Sequence, residues 1–376
     1  MSGGNPDVVI IGAGIVGAAI AERLSAERLK VIVVEADCAG SGATAAGMGH
    51  VVVMDDSEAQ FALTAYSRRL WQEKEACWPK AAEYRRPGTL WVAADAEEFA
   101  AVEHKHAWYG AHGVQSEILT AGDLAREEPQ LRPGLAGALR VPEDMVVYPP
   151  AAARWLVERA RRQGAVYMQG ARVEHTTGSV VTLASGTVLH TGGVIHAAGA
   201  QGGHLPVTIP VAPRKGHLAI TDRAPGFLRH QIVELGYLKS AHGHETESVA
   251  CNLQPRATGQ VLIGSSRQYG VHTAAVELPM LHRMLRRALE YMPGLAGLPV
   301  VRTWTGFRAA TPDGLPLIGR APQCEGLWLA TGHEGLGITT SLATAELLAA
   351  QMLGREAAIP AEPYSPSRFG EKSAHA

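Results

Sequence analysis

Arg308 stands alone in "WTGFRAATPDGLPLIG" (Trp304–Gly319), among residues that are otherwise apolar or turn-forming. A guanidinium offers two parallel N–H donors that match the two oxygens of a carboxylate, so an arginine in this setting suits capture of a small acid. The plainer use is an ion pair with Asp313, the one acid of the stretch. Near the start of the chain, Gly12, Gly14 and Gly17 spell G-x-G-x-x-G, and Glu35 follows eighteen residues beyond Gly17. Gly12 permits a tight turn, Gly14 lets a pyrophosphate approach the backbone, and Gly17 lets a helix lie close on its strand. The helix N-terminus adds N–H donors and the positive end of its dipole. A carboxylate at Glu35 accepts the hydroxyls of an adenosine ribose and repels a 2′-phosphate, which disfavours NADP.

Two later stretches choose between NAD and FAD. "AGSGATAAGMGH" (Ala39–His50) puts six small residues in a row at Ser41–Ala46. Such a loop lines an extended pyrophosphate, ribityl chain and ring, whereas an ordinary NAD fold runs on into further β-α units. "ATGHEGLG" (Ala330–Gly337) leads into the N-terminus of a helix. That end suits a ring carbonyl that gains negative charge on reduction. Either loop alone reads as a tight turn; together with the N-terminal motif they select FAD. His50, just past the first loop, suits a bond to substrate, tuning of the flavin, or a packed structural role. "AHGHE" (Ala241–Glu245) has metal-like spacing, but no further ligand cluster accompanies it, so no metal site is expected.

These residues need elements to hold them. "DVVIIG" (Asp7–Gly12) and "KVIVVE" (Lys30–Glu35) read as buried strands flanking a helix, a β-α-β unit. A helix is expected over roughly Ser57–Trp78, with Phe61, Tyr66, Leu70 and Trp71 as its apolar positions. From about Tyr84 to Pro142 the texture changes to short strands, many charges and prolines, as in an insertion. "PPAAARWLVERARRQGAVYMQG" (Pro149–Gly170) reads as a helix with a glycine stop, then a strand. "GVIHAAGAQGG" (Gly193–Gly203) is a buried strand ending in glycines, Gly199 among them. From Pro210 to about Arg302, strands such as "KGHLAI" and "GQVLIGSS" accompany one helix near Pro279–Met292. "GLWLATGHEGLGITTSLATAELLAAQML" (Gly326–Leu353) is strand, glycine loop, helix, and Pro360–Ala376 reads as a frayed tail.

Bulk properties agree with an enzyme core. The chain has 376 residues, 46% apolar, with 42 glycines and a net charge of −2. That supports two or three domains and argues against a nucleic-acid partner. Cys38, Cys77, Cys251 and Cys324 form no C-x-x-C pair, so no zinc ribbon or iron–sulfur cluster is indicated. Their spacing, with no basic n-region before the apolar start, predicts reduced thiols in a cytoplasmic protein. "VVIIGAGIVGAAIA" is too short and glycine-rich to span a membrane, so no transmembrane segment is expected.

On "VVIIGAGIVGAAIA…VIVVE", "ATAAGMGH", "WTGFRAATPDGLPLIG" and "ATGHEGLGITTSLATAELLA", the chain resembles the D-amino acid oxidase superfamily over nearly its whole length. Within it, "AAGMGHVVVMDDSEAQFALTAYS" looks most like the flavoprotein subunit of hydrogen cyanide synthase and the D-hydroxyproline dehydrogenase β-subunit, with glycine oxidase a third similar branch. The resemblance implies an α/β, α+β architecture: a discontinuous, glutathione-reductase-like FAD-binding Rossmann domain (1–80, 145–210 and 311–376) carrying an inserted substrate domain on a mixed sheet (81–144 and 211–310), with the site where they meet. It implies oxidation of a C–N bond by hydride transfer to FAD, the imine being hydrolysed or persisting as a cyclic pyrroline. Beyond Gly12, Gly14 and Gly17, it implies FAD contacts at Ile15, Val16, Glu35, Ala36, Ser41, Gly42, Ala46, Gly47, Met48, Val173 and Gly199. His333, Glu334, Gly335, Leu336, Gly337, Ile338 and Thr339 would border the flavin ring.

Arg308 falls on the position of the family's substrate-carboxylate arginine. Sarcosine oxidases attach flavin through a cysteine just before it; Gly306 stands there here, so FAD is expected without a covalent bond. Asn252 replaces a carboxylate-binding tyrosine and Arg267 an apolar pocket residue, changes that suit a hydroxylated or more polar amine. Arg267 otherwise reads as a surface residue at a strand end. Tyr237 is a candidate replacement for the missing tyrosine. No side chain is nominated as base, because solvent suffices to take the amine proton. The favoured expectation is a D-hydroxyproline (D-proline) dehydrogenase. The alternatives are a glycine- or sarcosine-type oxidase using oxygen, or an electron-relaying subunit of a complex whose partner carries the iron–sulfur cluster.

Overall fold

The computed structural model describes residues 4–236 and 247–369. The chain divides into two compact units, one of residues 1–82, 148–213 and 307–376, the other of 83–147 and 214–306.

The first unit is organised by a six-stranded sheet in the order Leu317–Arg320, Leu327–Thr331, Val194–His196, Val8–Ile11, Val31–Glu35, Val166–Gln169. All neighbours are parallel except the first pair, which is antiparallel. Val8, Val9, Ile10 and Ile11 are all buried, the mark of a strand covered on both faces. The helix Ile15–Ala26 follows and is buried nearly all round by Ala18, Ala19, Ile20, Ala21 and Leu24. Its small side chains let it lie close to its neighbours, the helices Pro149–Arg162 and Gly337–Met352. Prolines at the first turn start the former, and Gly164, at φ +102°, turns the chain beyond it. A three-stranded antiparallel sheet, Val173–Thr176, Val180–Leu183 and Val188–His190, completes this unit's strand set among the described residues, with the short His50–Val51 and His333–Glu334.

The helix expected over Ser57–Trp78 runs from Glu58 to Glu73 and is followed by a 3-10 turn at Glu75–Cys77. Ser57 caps it by accepting from the Gln60 N–H at 3.1 Å. Phe61 and Trp71 are buried as expected, but Tyr66 and Leu70 are only half-buried, and Leu63, Thr64, Ser67 and Arg68 fill the buried face.

The second unit is a mixed sheet. Its strands run in the order Val300–Ala310, Ala212–Arg223, Gln260–Gln268, Glu247–Pro255, Gln231–Glu234, Thr89–Ala93, Gly137–Val141, Glu117–Thr120. Gln231–Glu234 and Thr89–Ala93 are parallel, against the antiparallel pairs beside them. The helix Leu278–Tyr291 buries Leu281, Met284 and Ala288 on one sheet face, against Ile232, Cys251, Leu253 and Ile263.

Two expectations are corrected. The stretch 84–142 holds a sixteen-residue helix, Ala96–Ala111, capped by Asp95, as well as short strands. The tail is not frayed as far as Phe369. Glu362–Tyr364 and Pro366–Phe369 are 3-10 turns, Tyr364 is buried, and its hydroxyl donates to the Ala59 carbonyl at 2.6 Å.

Candidate active site

The glycine motif is built by close contact. A Cβ on Gly17 would lie 2.0 Å from the Gly12 carbonyl oxygen, and one on Gly12, at φ +104°, 2.7 Å from that of Ala197. No side chain caps the helix at Gly14, and the Ile15 N–H donates to the Thr44 hydroxyl at 2.9 Å. A Cβ on Gly14 would lie 3.1 Å from that hydroxyl. Thr44 therefore ties the first glycine loop to the second. In the sequence it reads only as one small residue of "SGATAA", where it and Ser41 are the two hydroxyls of a glycine–alanine loop.

Glu35 closes the far side. Its Oε2 accepts from the Ala13 N–H at 2.8 Å, and its Oε1 from the Asp37 N–H at 2.9 Å, with the Ser41 hydroxyl at 3.5 Å. A carboxylate has about four lone-pair positions, so ribose hydroxyls can bind alongside these donors. The Ala171 N–H donates to the Glu35 carbonyl at 2.8 Å, which brings the start of the strand Val173–Thr176 to this end.

The second loop forms one helical turn, Ala43–Ala46, entered through Gly42 at φ +61°. It docks against the C-terminal helix: a Cβ on Gly47 would lie 2.8 Å from Ile338 Cδ1, and the Thr339 hydroxyl donates to the His50 carbonyl at 2.9 Å. Leu336 precedes this helix without a side-chain cap, and Val16 Cγ2 lies 4.0 Å from a Cβ on Gly337. Two helix starts thus converge, each presenting N–H donors and a positive dipole end. Gly199, at φ +60°, is held by the Thr331 hydroxyl, which donates to its carbonyl at 2.7 Å.

Arg308 lies at the end of the strand Val300–Ala310, where Ala309 and Ala310 pair antiparallel with Glu334 and His333. A Cβ on Gly335 would be 3.6 Å from Arg308 Nε and 3.8 Å from its Cδ. The arginine stem therefore crosses the backbone of "HEGLG", where glycine leaves it room. Asp313, its alternative partner, is held instead by Arg368, at 2.7 and 3.1 Å. The His333 ring is turned away into the C-terminal helix, bonding Thr344 at 3.0 Å, and burial lowers its pKa to about 3. It is a neutral packed group.

In the second unit, Asn252 pairs with Gly264 and Val233, and its Oδ1 is buried with no hydrogen-bond partner. Arg267 is buried, 9% exposed, opposite Ser248, which removes the reading of it as a surface strand end. Tyr237 and "AHGHE" lie outside the described residues.

A buried parallel sheet, a motif whose Gly12 and Gly17 leave no room for a Cβ, an acid at the next strand end and two convergent helix starts define a dinucleotide-binding unit. The family model DAO, FAD dependent oxidoreductase, matches residues 7–351, and the chain belongs to that family. Its cofactor is FAD, held without a covalent bond. The chain is 29% identical to glycine oxidase of Geobacillus kaustophilus, over 96% of this chain and 97% of that one. It is 28% identical to hydrogen cyanide synthase subunit HcnC of Pseudomonas aeruginosa, over 96% of each. The crystal structure of the Geobacillus kaustophilus glycine oxidase superposes with a TM-score of 0.86 at 27% identity, covering 96% of this chain and 98% of that one. Among the described residues, no helix is long and apolar enough to cross a membrane.

Proposed function

We propose that the chain oxidises the C–N bond of a small D-amino or cyclic imino acid, and that its substrate is D-hydroxyproline or D-proline, giving a pyrroline carboxylate. The observation that carries this reading is Arg308 lying across Gly335 in the loop that starts the C-terminal helix. Bound FAD supplies a two-electron acceptor at N5. Arg308 takes the substrate carboxylate in its fork and so fixes the carbon that bears the amine. The hydride leaves that carbon with the electron pair of its C–H bond, the amine proton goes to solvent, and a C=N bond forms.

Gly12, Gly14, Ile15, Val16 and Gly17 take the pyrophosphate, and Glu35 and Ala36 the ribose, with Val173 toward the adenine. The loop Ser41–Met48, with Gly199, lines the extended chain, and residues 333–339 approach the ring through their backbone. Asn252 and Arg267 select the substrate, and their polarity favours a hydroxylated amine over glycine. The relatives named glycine oxidase support an amino-acid substrate and keep oxygen as an alternative acceptor. The relative named as a subunit supports a second reading, an assembly whose partner carries the next redox centre, such as an iron–sulfur cluster. Four unpaired cysteines support a reducing, cytoplasmic compartment.

Anaerobic mixing of the yellow protein with a panel of small amines tests the substrate, and timed readmission of air tests the acceptor. Reoxidation within the turnover time would replace the dehydrogenase reading with the oxidase. Turnover of the isolated chain with an artificial acceptor would remove the need for an obligatory assembly.

A further inference from the structure

Three of the chain's seven tryptophans touch in one column of the first unit. The rings of Trp71 and Trp78 lie 4.5 Å apart, centroid to centroid, with planes at 19°. Those of Trp78 and Trp155 follow at 4.6 Å and 48°. The column runs outward: Trp71 is 0% exposed, Trp78 9%, and Trp155 half-buried. Trp71 comes from the helix Glu58–Glu73, Trp78 from just past the 3-10 turn beyond it, and Trp155 from the helix Pro149–Arg162.

The inner end leads toward the cofactor loops. One turn before Trp71, the Ser67 hydroxyl accepts from the Ala343 N–H of the C-terminal helix at 3.2 Å. Ala343 is about 6 Å along that helix from Thr339, near its start, and Trp71 is about as far from Ser67 along its own. Packing alone accounts for each ring pair. It does not account for the Trp71 Nε1–H, which is buried without a hydrogen-bond partner.

Indole is among the most easily oxidised side chains, and rings in contact exchange an electron readily. A positive charge left on Trp71 sits in a dry site, where it is costly and where its proton has no acceptor. The Trp78 N–H donates to the Trp71 carbonyl at 3.3 Å, which fixes the second ring against the first. At Trp155 water can solvate the charge and take the proton. The Arg159 guanidinium carbon lies 5.0 Å from that ring's centroid and favours the neutral, deprotonated radical over the cation. Arg159 is held there by Glu22, at 2.8 Å. The charge is therefore driven outward.

We propose that Trp71, Trp78 and Trp155 form an outlet by which an oxidising equivalent leaves the unit that carries the glycine motif and reaches its surface. The oxidant is bound FAD excited by blue light. Trp71 gives it one electron and regains one from Trp78, and Trp78 regains one from Trp155. Trp155 releases its indole proton to water and is left a neutral radical, which a thiol in solution restores by giving a hydrogen atom. In sum the thiol loses one electron, which ends on the flavin, and one proton, which ends in water.

The test is a blue laser flash on the purified FAD-loaded protein without oxygen, followed by transient absorption. It needs no substrate, so it stands apart from the question of which amine is oxidised. The parent should show a long-lived tryptophan radical. In Trp155→Phe the charge cannot leave the interior and recombines, so the lifetime should fall at least tenfold. Trp155→Tyr should carry the long-lived signal over to a tyrosine radical, and it bears the test alone if the phenylalanine variant does not fold. A parent without a tryptophan radical, a smaller fall in Trp155→Phe, or an unchanged tryptophan signal in Trp155→Tyr overturns the outlet and leaves the column as packing.

Discussion

Gly17→Ala tests whether close contact at the glycine motif is what holds the cofactor loop. The added Cβ would lie 2.0 Å from the Gly12 carbonyl oxygen and 3.3 Å from Ala197 Cβ. A carbon–oxygen contact needs roughly 3.2–3.5 Å, so the helix start and the Gly12 turn must part by more than an ångström. Overpacking of this kind costs about 1–3 kcal/mol, partly offset by about 1 kcal/mol of better helix propensity. The shift falls on the backbone proposed to take the pyrophosphate, so FAD affinity should drop at least tenfold. Gly170→Ala is the control. Gly170 has φ +71° and no atom within 4 Å of its Cβ position, so alanine there meets only backbone strain, about 1–2 kcal/mol. Both variants should melt at lower temperature, but only Gly17→Ala should lose flavin on dialysis, read as the ratio of flavin to protein absorbance. Full flavin retention by Gly17→Ala would refute the reasoning.

Arg308→Lys should keep its flavin and lose about 1.5–3 kcal/mol of transition-state binding, on the order of 10- to 150-fold in kcat/KM; unchanged kinetics would remove Arg308 from the site. Arg267→Met should keep its flavin and move the ranking of substrates toward less polar amines, as a kcat/KM panel would report; an unaltered ranking counts against its role. Burial, with the neighbouring His204, lowers the pKa of His196 to about 3, and burial lowers that of His333 to about 3, from 6.5. Both are neutral in the fold and take up protons on unfolding, so their stabilisation is complete above pH 6.5 and is lost toward pH 3. The slope in that window is about 1.4 kcal/mol per pH unit for each. Urea midpoints at pH 7 and 5.5 should show the loss, and His333→Gln should reduce it; a midpoint independent of pH would contradict it.

The dinucleotide core was legible because its strands are covered on both faces. "VVII" and "VIVVE" read as continuous apolar runs, and the glycines between them have one economical explanation. Arg308 was legible as an isolated charge in an apolar and turn-forming stretch. The helix Ala96–Ala111 was not, because His104, Lys105 and His106 interrupt any apolar stripe and Lys105 is itself buried, its ammonium 4.6 Å from the Trp91 ring centroid. The tail looked frayed because two contacts far apart in sequence hold it, Tyr364 to Ala59 and Arg368 to Asp313. The second of these also decides against Asp313 as the reason for Arg308.

Anaerobic addition of cis-4-hydroxy-D-proline to the purified yellow protein tests the central claim most directly. The visible flavin absorption should bleach in a single two-electron step, faster than with glycine or sarcosine, and more slowly by the predicted factor in Arg308→Lys. A flavin that stays oxidised in the presence of every small amino and imino acid would contradict the account.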